Sequence, residues 1–456
     1  VSASQPTNPL ISEQQFQKNL TVRHQRGRAG EIFFLSANVI ALALLVILFS
    51  HVVNQAYGLV VIENVLAPSE VADKPLDELT EEELIAILAE RQPGRVSVVI
   101  RDMLSQVPAT EFTTAPLQDV LERGTYPADW ANLTINDLDV EQRSQILANS
   151  LSASQMLDVV TDQVIRPTVI RTWSLLPSIL TRDEIEAEVA EEYPDDVLEF
   201  KAWPNWDFVI SSVSSSATTA GLRTALLGSF WIISITAVTA LILGVGAAIY
   251  LEEYARDNWI NRTIEINIRN LAAIPSVIYG MLGLAVFVRA LGYFTSGQFI
   301  GVTDTNGRTA LSAGLTLALL ILPIIIVSAQ ESVRAVPSSI REASYGLGAT
   351  KLQTVFRHVL PAAIPGIMTG VILSMSRAVG ETAPLLVVGA STFIGIDPNG
   401  PFSKFTVVPI QIYQWTSRPE AEFKNVAAAA IIVLLVVMLL LNGSAIILRN
   451  RFSRSN

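Results

Sequence analysis

Cysteine is absent from the 456 residues, so disulfides, thiolate metal sites and cysteine nucleophiles are excluded, and thiol chemistry gives no clue to compartment. Histidine is nearly absent. His24, His51 and His358 are far apart in sequence, which argues against a histidine-rich metal site. Lysine is scarce, and none of the six follows a glycine, so the phosphate-cradling GxxxxGKS/T loop is missing and no means of binding or hydrolysing ATP is evident. Neither an HExxH helix nor a nucleophile elbow occurs. Charge is also sparse. Only 16% of residues are charged against 50% hydrophobic, and the mean hydropathy of +0.43 favours a membrane class over a soluble globule.

What the chain does have is long apolar runs. A spanning helix needs about 20 mostly apolar residues. Six segments qualify: Ile32–Val53, Arg223–Leu251, Leu271–Leu291, Thr309–Ala329, Ile364–Phe393 and Asn425–Leu448. Arginines and a lysine flank them on one side. Arg23, Arg26 and Arg28 precede the first, Arg256, Arg262 and Arg269 lie between the second and third, and Arg334, Arg341, Lys351 and Arg357 lie between the fourth and fifth. Arg449, Arg451 and Arg454 follow the last. With six spans these segments share one side, which the positive-inside rule makes cytoplasmic, with both termini there. The first run reads as a span rather than a cleaved signal, being long and about thirty residues in, with no clear cleavage site.

The net charge of −11 hides a split. Residues 54–222 hold 29 Asp+Glu against 10 Lys+Arg, whereas the remainder holds 13 against 21. A basic membrane framework therefore carries one acidic extracytoplasmic block. Four helix-start signals recur in it: Thr80 with Glu83, Asp139 with Gln142, Ser152 with Gln155, and Thr181 with Glu184. Each follows a leucine (Leu79, Leu138, Leu151, Leu180), and staples onto Leu84, Met156 and Ile185 are expected, with Arg143 breaking the pattern in the second. These signals predict a mostly helical insert or a set of loosely ordered, solvated helices. The run Asp183–Asp196 lacks EF-hand spacing and reads as a solvated acidic face. The organisation is then a cytoplasmic tail 1–31, a first span 32–53, the insert 54–222, a five-helix core 223–448 and a cytoplasmic tail 449–456.

Two charges break the apolar pattern of the fifth run. In SRAVGETAPLL, Arg377 and Glu381 fall where hydrocarbon is expected, so they should face a bundle interior or an aqueous path. Four apart, they project about 40° from one another on a helix. Arginine stays protonated and presents a planar fork suited to an oxyanion. Glutamate can neutralise it when the site is empty and can accept a hydrogen bond from an oxyanion that carries a proton, which fully ionised sulfate does not offer. The alternative is a salt bridge that only fixes packing. Ser374 and Thr382, with Ser276 and Thr369, are candidates to line a polar path, unless their hydroxyls bond their own backbone. Pro275, Pro323 and Pro384 should kink the third, fourth and fifth helices, and Gly280 and Gly283 permit close helix contact. Glu252 and Glu253 read as interface charges rather than ligands.

The loop 330–363 contains REASYGLGATKLQTVFRHVLPAAIPG from Arg341 to Gly366. Leu347, Leu352, Val355, Phe356 and Val359 recur at roughly helical spacing, Gly346 and Gly348 interrupt, and Pro361 should end the second helix. The result is a bent apolar knob for a partner's groove, or else an ordinary helical hairpin. This loop resembles the EAA motif of binding-protein-dependent ABC importer permeases, with Glu342, Ala343, Gly348, Leu360 and Pro361 at matching places, Ser344 replacing the second alanine and His358 a usual isoleucine. AIYLEEYA (248–255), IPSVIYGMLGL (274–284) and RAVGETAPLL (377–386) together resemble the A-type permease subunits of phosphate importers. The resemblance does not cover 54–222, and the arginine often found shortly after the Leu322-Pro323 pair is replaced here by the run Ile324–Ser328.

The resemblance implies an all-α integral membrane fold of the ABC type I importer kind, with six transmembrane helices and the mostly helical acidic insert between the first two. It implies phosphate translocation past Arg377, Glu381, Thr382 and Ser374, with Glu342, Ala343, Gly346, Gly348, Leu360 and Pro361 contacting an ATPase. Implied partners are a C-type permease subunit, two ATPase subunits carrying ATP and Mg²⁺, an extracytoplasmic phosphate-binding protein and the bilayer of a bacterial cytoplasmic membrane. No cofactor, metal, nucleic acid or catalytic residue is expected in this chain. The rival readings are a permease for phosphonate, sulfate or molybdate, and a membrane sensor. The second is disfavoured by a longest cytoplasmic segment of about 35 residues.

Overall fold

The computed structural model describes residues 13–66, 68–72, 74–105, 112–121, 124–194, 196–214, 216–301, 307–390, 394 and 397–454, with side chains between 23 and 451. Among these, five helices are long and apolar enough to cross a membrane, and a bent pair makes a sixth span if counted as one. Residues 1–54 and 55–456 are two separate units. The first is most of α1 (Glu13–Ala56), whose apolar window is wholly exposed, as suits a helix facing lipid.

In the second unit, α9 (Arg223–Ile249) and α12 (Ala310–Arg334) form the centre. Small residues set their spacing. A Cβ on Gly314 would meet Ile235, and one on Gly244 would meet Ile325. The Thr236 hydroxyl, fully buried, donates to Gly314 O at 3.0 Å, satisfying a polar group that lipid would leave unpaired. Around this pair stand α11 (Ser276–Gly283), α15 (Leu360–Gly380), α16 (Ala383–Val388), α17 (Val408–Thr416) and α18 (Glu422–Arg454).

Two expected spans differ in outline. The third, expected from Leu271, begins at α11, and the preceding α10 (Trp259–Leu271), which carries Arg262 and Arg269, meets it at 108°. Pro275 has no N–H and disfavours helical geometry at Ile274, so it ends one helix and starts the next instead of kinking a continuous one. The fifth breaks at Glu381, whose ψ of 114° is extended, and Pro384 lies in the first turn of α16. Its expected end, Phe393, lies outside the described residues. Of these three prolines Pro323 is the one inside an unbroken helix, and Pro365 likewise lies inside α15.

The insert is less purely helical than expected. A hydrophobic cluster joins α2 (Glu81–Arg91), α3 (Pro93–Leu104), α4 (Val140–Ala148) and α5 (Ala153–Val160). Thr80–Glu83, Asp139–Gln142 and Ser152–Gln155 form reciprocal capping boxes, and Leu79, Leu138 and Leu151 join the cluster. The fourth signal fails. The Thr181 hydroxyl donates to Pro177 O in the preceding turn, and Leu180 is 77% exposed. Unforeseen is an antiparallel sheet, ordered β2–β1–β3, of β1 (Tyr57–Asn64), β2 (Pro167–Thr172) and β3 (Val197–Ala202). The insert is not a detached domain. Val60, Val169, Trp203 and Phe208 share one core with Ala225 of α9, Trp415 of α17 and Phe423 and Val426 of α18.

Candidate substrate path and inner coupling surface

Arg377 lies in the last turn of α15, and its Nε donates to Glu381 Oε1 at 3.2 Å. The geometry differs from the one-face helical pair expected from spacing. Glu381 has left the helix and reaches back from the break, with its side chain 18% exposed against 46% for Arg377. The guanidinium thus keeps most of its donors free of Glu381 while retaining a counter-charge. Depth follows from Ser376, whose hydroxyl lies 2.6 Å from Asn442 Oδ1 of α18. Asn442 is seven residues before Arg449, about 10 Å along the helix from that cationic end and within the hydrocarbon thickness.

A second break faces the first. Tyr279 of α11 is buried and donates its hydroxyl to Leu271 O at 2.7 Å, capping the carbonyl freed where α10 stops. It stands within electrostatic reach of Arg377. Gly280 brings α11 against α16, where an added Cβ would lie 2.7 Å from Pro384 Cα, and Gly283 does the same against Thr316. The break after Gly380 and the bend before α11 are thereby brought together through Gly280 and Pro384. Irregular backbone at membrane depth occurs where it is buried in protein or lines a water-filled cavity.

The other candidate path residues divide. Thr382 is half-buried at the start of α16. Ser374 is buried, and its hydroxyl donates to Gly370 O, so it is committed to its own helix. Thr369 donates to Pro365 O and accepts from Arg449 Nη1 at 3.3 Å. Tyr279 and Asn442 were not singled out from the sequence, where only their polarity within apolar runs marked them, and Arg449 was read only as a flanking cation.

After α12 the loop folds as a bent pair. α13 (Ser338–Gly346) ends at Gly346, Gly348 takes φ +80°, and α14 (Lys351–Thr354) begins with a Thr350–Gln353 capping box. Leu347 is 90% exposed, and Tyr345, Leu352 and Phe356 are also exposed, giving an apolar knob. Ser344 has a structural role. It is buried, and its hydroxyl pairs with that of buried Thr354 at 2.9 Å, tying the two helices together. Pro361 does not end the helix. A π turn over Val355–Val359 carries the chain continuously into α15, and Pro361 follows directly after that turn.

Glu253 is more than an interface charge. Its carboxylate, 6% exposed, accepts from Arg341 Nε and Nη2, and Arg341 also donates to Val333 O and Val336 O. One guanidinium thus joins the end of the second span, the end of α12 and the start of the knob. Beside it Arg334 binds Glu252 in a more exposed pair, and Lys351 lies over the Tyr254 ring. Among the described residues no group of three or more His, Asp or Glu side chains is arranged to hold a metal.

A model of the family described as binding-protein-dependent transport system inner membrane component matches residues 240–454. The chain is 32% identical over 212 residues to the probable ABC transporter permease protein YqgI of Bacillus subtilis, covering 46% of this chain and 67% of that one. It is 30% identical over 222 residues to the phosphate transport system permease protein PstA of Haemophilus influenzae, covering 48% and 73%. The chain belongs to the binding-protein-dependent permease family. A further relative, PstA 1 of Mycobacterium tuberculosis, is 34% identical over 216 residues, covering 47% of this chain and 66% of its own length. The solved structure of a bacterial ABC transporter involved in the import of alginate aligns with TM-score 0.40 and 15% identity over 60% of this chain and 91% of that chain. The chain spans about two thirds of the length of these curated relatives, and residues 55–222 lie outside the family match. As a family member with several apolar spans, this permease is a multi-pass inner-membrane transport subunit.

Proposed function

We propose that this permease moves inorganic phosphate inward as one transmembrane subunit of an ATP-driven importer. The observation that carries the reading is Arg377 held by Glu381 at a helix break within the membrane, abutting a second break at Tyr279. The naming of several relatives as phosphate permeases supports the choice of anion. An arriving phosphate takes the donors of Arg377 that Glu381 leaves free, and Glu381 accepts from the protonated phosphate oxygen. Thr382, at the start of α16, is a further polar group on the route. The permease makes and breaks no covalent bond.

ATP and Mg²⁺ belong to two separate ATPase subunits, which grip the knob formed by Glu342, Ala343, Gly346 and Gly348. Leu360 and Pro361 lead that motion into α15. A C-type permease subunit completes the pathway, and a phosphate-binding protein delivers substrate from outside. The flanking arginines support a cytoplasmic placement of both tails.

The test is radiolabelled phosphate uptake by the assembled importer in vesicles. Arg377→Ala should abolish uptake while ATP binding to the partner subunits persists. Glu381→Gln should lower uptake of phosphate relative to sulfate leak. Full-rate pumping by Arg377→Ala overturns the proposed route, and sulfate or molybdate competing as well as phosphate overturns the choice of anion.

A further inference from the structure

We infer that two short helices of the insert, α6 (Leu175–Leu180) and α8 (Trp206–Ile210), rest in the lipid headgroup layer on the outer side of the membrane and anchor the insert there. The inference uses only the spans and the sheet, and it stands whichever anion is carried.

The sheet topology sets the position. β1 begins at Tyr57, the residue after helical Ala56, and both neighbours run antiparallel to it, so both return toward that end. β2 reaches Thr172 opposite Val60, and β3 reaches Ala202 opposite Tyr57. Each strand then delivers a short helix to the same edge. After β2 the chain crosses over Gly58 and Leu59, with Trp173 N donating to Leu59 O at 2.9 Å. A Cβ on Gly58 would fall on the Trp173 carbonyl, so only glycine permits the crossing. Ser178 of α6 then accepts from Leu59 N at 2.9 Å, which fixes one face of α6 on the first residues of β1.

The other face is apolar and open. Leu176, Ile179 and Leu180 fall at i, i+3 and i+4 and are 58%, 63% and 77% exposed. After β3, Trp203 is buried in the core shared with α17 and α18, and α8 follows with Trp206 73% exposed and Ile210 43% exposed. The level of α8 is set by the second span. Leu222 N donates to Phe208 O, Arg223 N to Ser211 O, and Arg223 Nη1 to Ile210 O at 2.8 Å, so α8 is bonded to the first residue of α9.

An exposed tryptophan at the mouth of a span is the usual occupant of the interfacial layer, with its ring among headgroups and its edge wet. An exposed leucine-rich face beside it has the chemistry of an interfacial helix. The partner is the neutral, apolar upper part of the leaflet rather than anionic headgroups, because the insert is strongly acidic.

The cysteine-free chain makes the test direct. Leu180→Cys and Ile179→Cys are spin-labelled in the assembled importer in lipid nanodiscs. Accessibility to oxygen, which partitions into lipid, is compared with accessibility to a water-soluble nickel chelate. Glu184→Cys on the following acidic helix, α7 (Arg182–Glu192), reports water, and Leu439→Cys on exposed α18 reports lipid. The expected oxygen-to-nickel ratio is several-fold above that at 184 and approaches that at 439. A ratio equal to that at 184 overturns the inference, since the face is then in water. Protection from both reagents also overturns it, since a protein then covers the face.

Discussion

Arg341→Met should be far more damaging than Arg334→Met, although the two arginines sit side by side and each binds a neighbouring glutamate. The Arg341–Glu253 side chains are 19% and 6% exposed, and those of Arg334–Glu252 are 57% and 17% exposed. Removing the Arg341 guanidinium strands a nearly buried carboxylate and takes the donor from two carbonyls, Val333 O and Val336 O. Breaking a buried pair from one side costs about 3–5 kcal/mol, whereas an exposed pair is worth about 0–1 kcal/mol. The assay is reversible unfolding of the purified permease in mixed micelles, followed by transport-coupled ATPase activity in the assembled importer. Glu253→Gln in the Arg341→Met background should recover part of the loss, because no bare carboxylate then remains. Coupling between the two positions should be about 2 kcal/mol or more. Equal, small losses for Arg341→Met and Arg334→Met would refute the view that one guanidinium pins the knob to two spans.

Ser344→Ala restores the alanine usual in the EAA pattern yet should destabilise the loop by about 1–3 kcal/mol, because it leaves the buried Thr354 hydroxyl without its partner. Adding Thr354→Val should return most of that loss, as read from hydrogen-exchange protection of residues 338–354. The insert should loosen in acid. Backbone N–H groups of Thr80 and Thr134 hold the Glu83 and Asp137 carboxyls below the ordinary range. Their stabilisation is therefore complete above the unfolded carboxyl values and is lost as pH falls through the lower folded ones. Exchange protection of α2 should decline over that interval, and Glu83→Gln should flatten the decline.

The sequence was most legible where one residue's chemistry decides the outcome locally. The capping boxes at Thr80, Asp139 and Ser152 need only a side chain three residues from its partner, and all three form. Thr181 shows the limit: it also ends α6, with φ −125° and ψ 34° where the working caps are extended, so its hydroxyl does not receive the Glu184 N–H. The strand Tyr57–Asn64 was hidden because it is buried on both faces in its centre, so YGLVVIEN shows no clean alternation. In the candidate path, Arg377 and Glu381 were visible as charges in an apolar run, and they do meet. Their arrangement was not visible, because whether a helix continues past Gly380 depends on how Pro384 packs against Gly280, a contact about a hundred residues apart in sequence. For Ser374 both a path role and a bond to its own backbone were open, and the second is found, whereas spacing gave no sign that Arg341 would find Glu253.

The common core formed by Trp203, Phe208, Trp415 and Val426 has a consequence for biogenesis. Residues 55–222 leave the ribosome before the second span does, and long before Phe423 and Val426 exist to pack against them. The insert therefore waits, with an open hydrophobic flank, until the last helix arrives. The final span is the keystone of that core, and truncating the C-terminal helix should leave residues 55–222 as exposed to quality-control proteases as the helices they pack on.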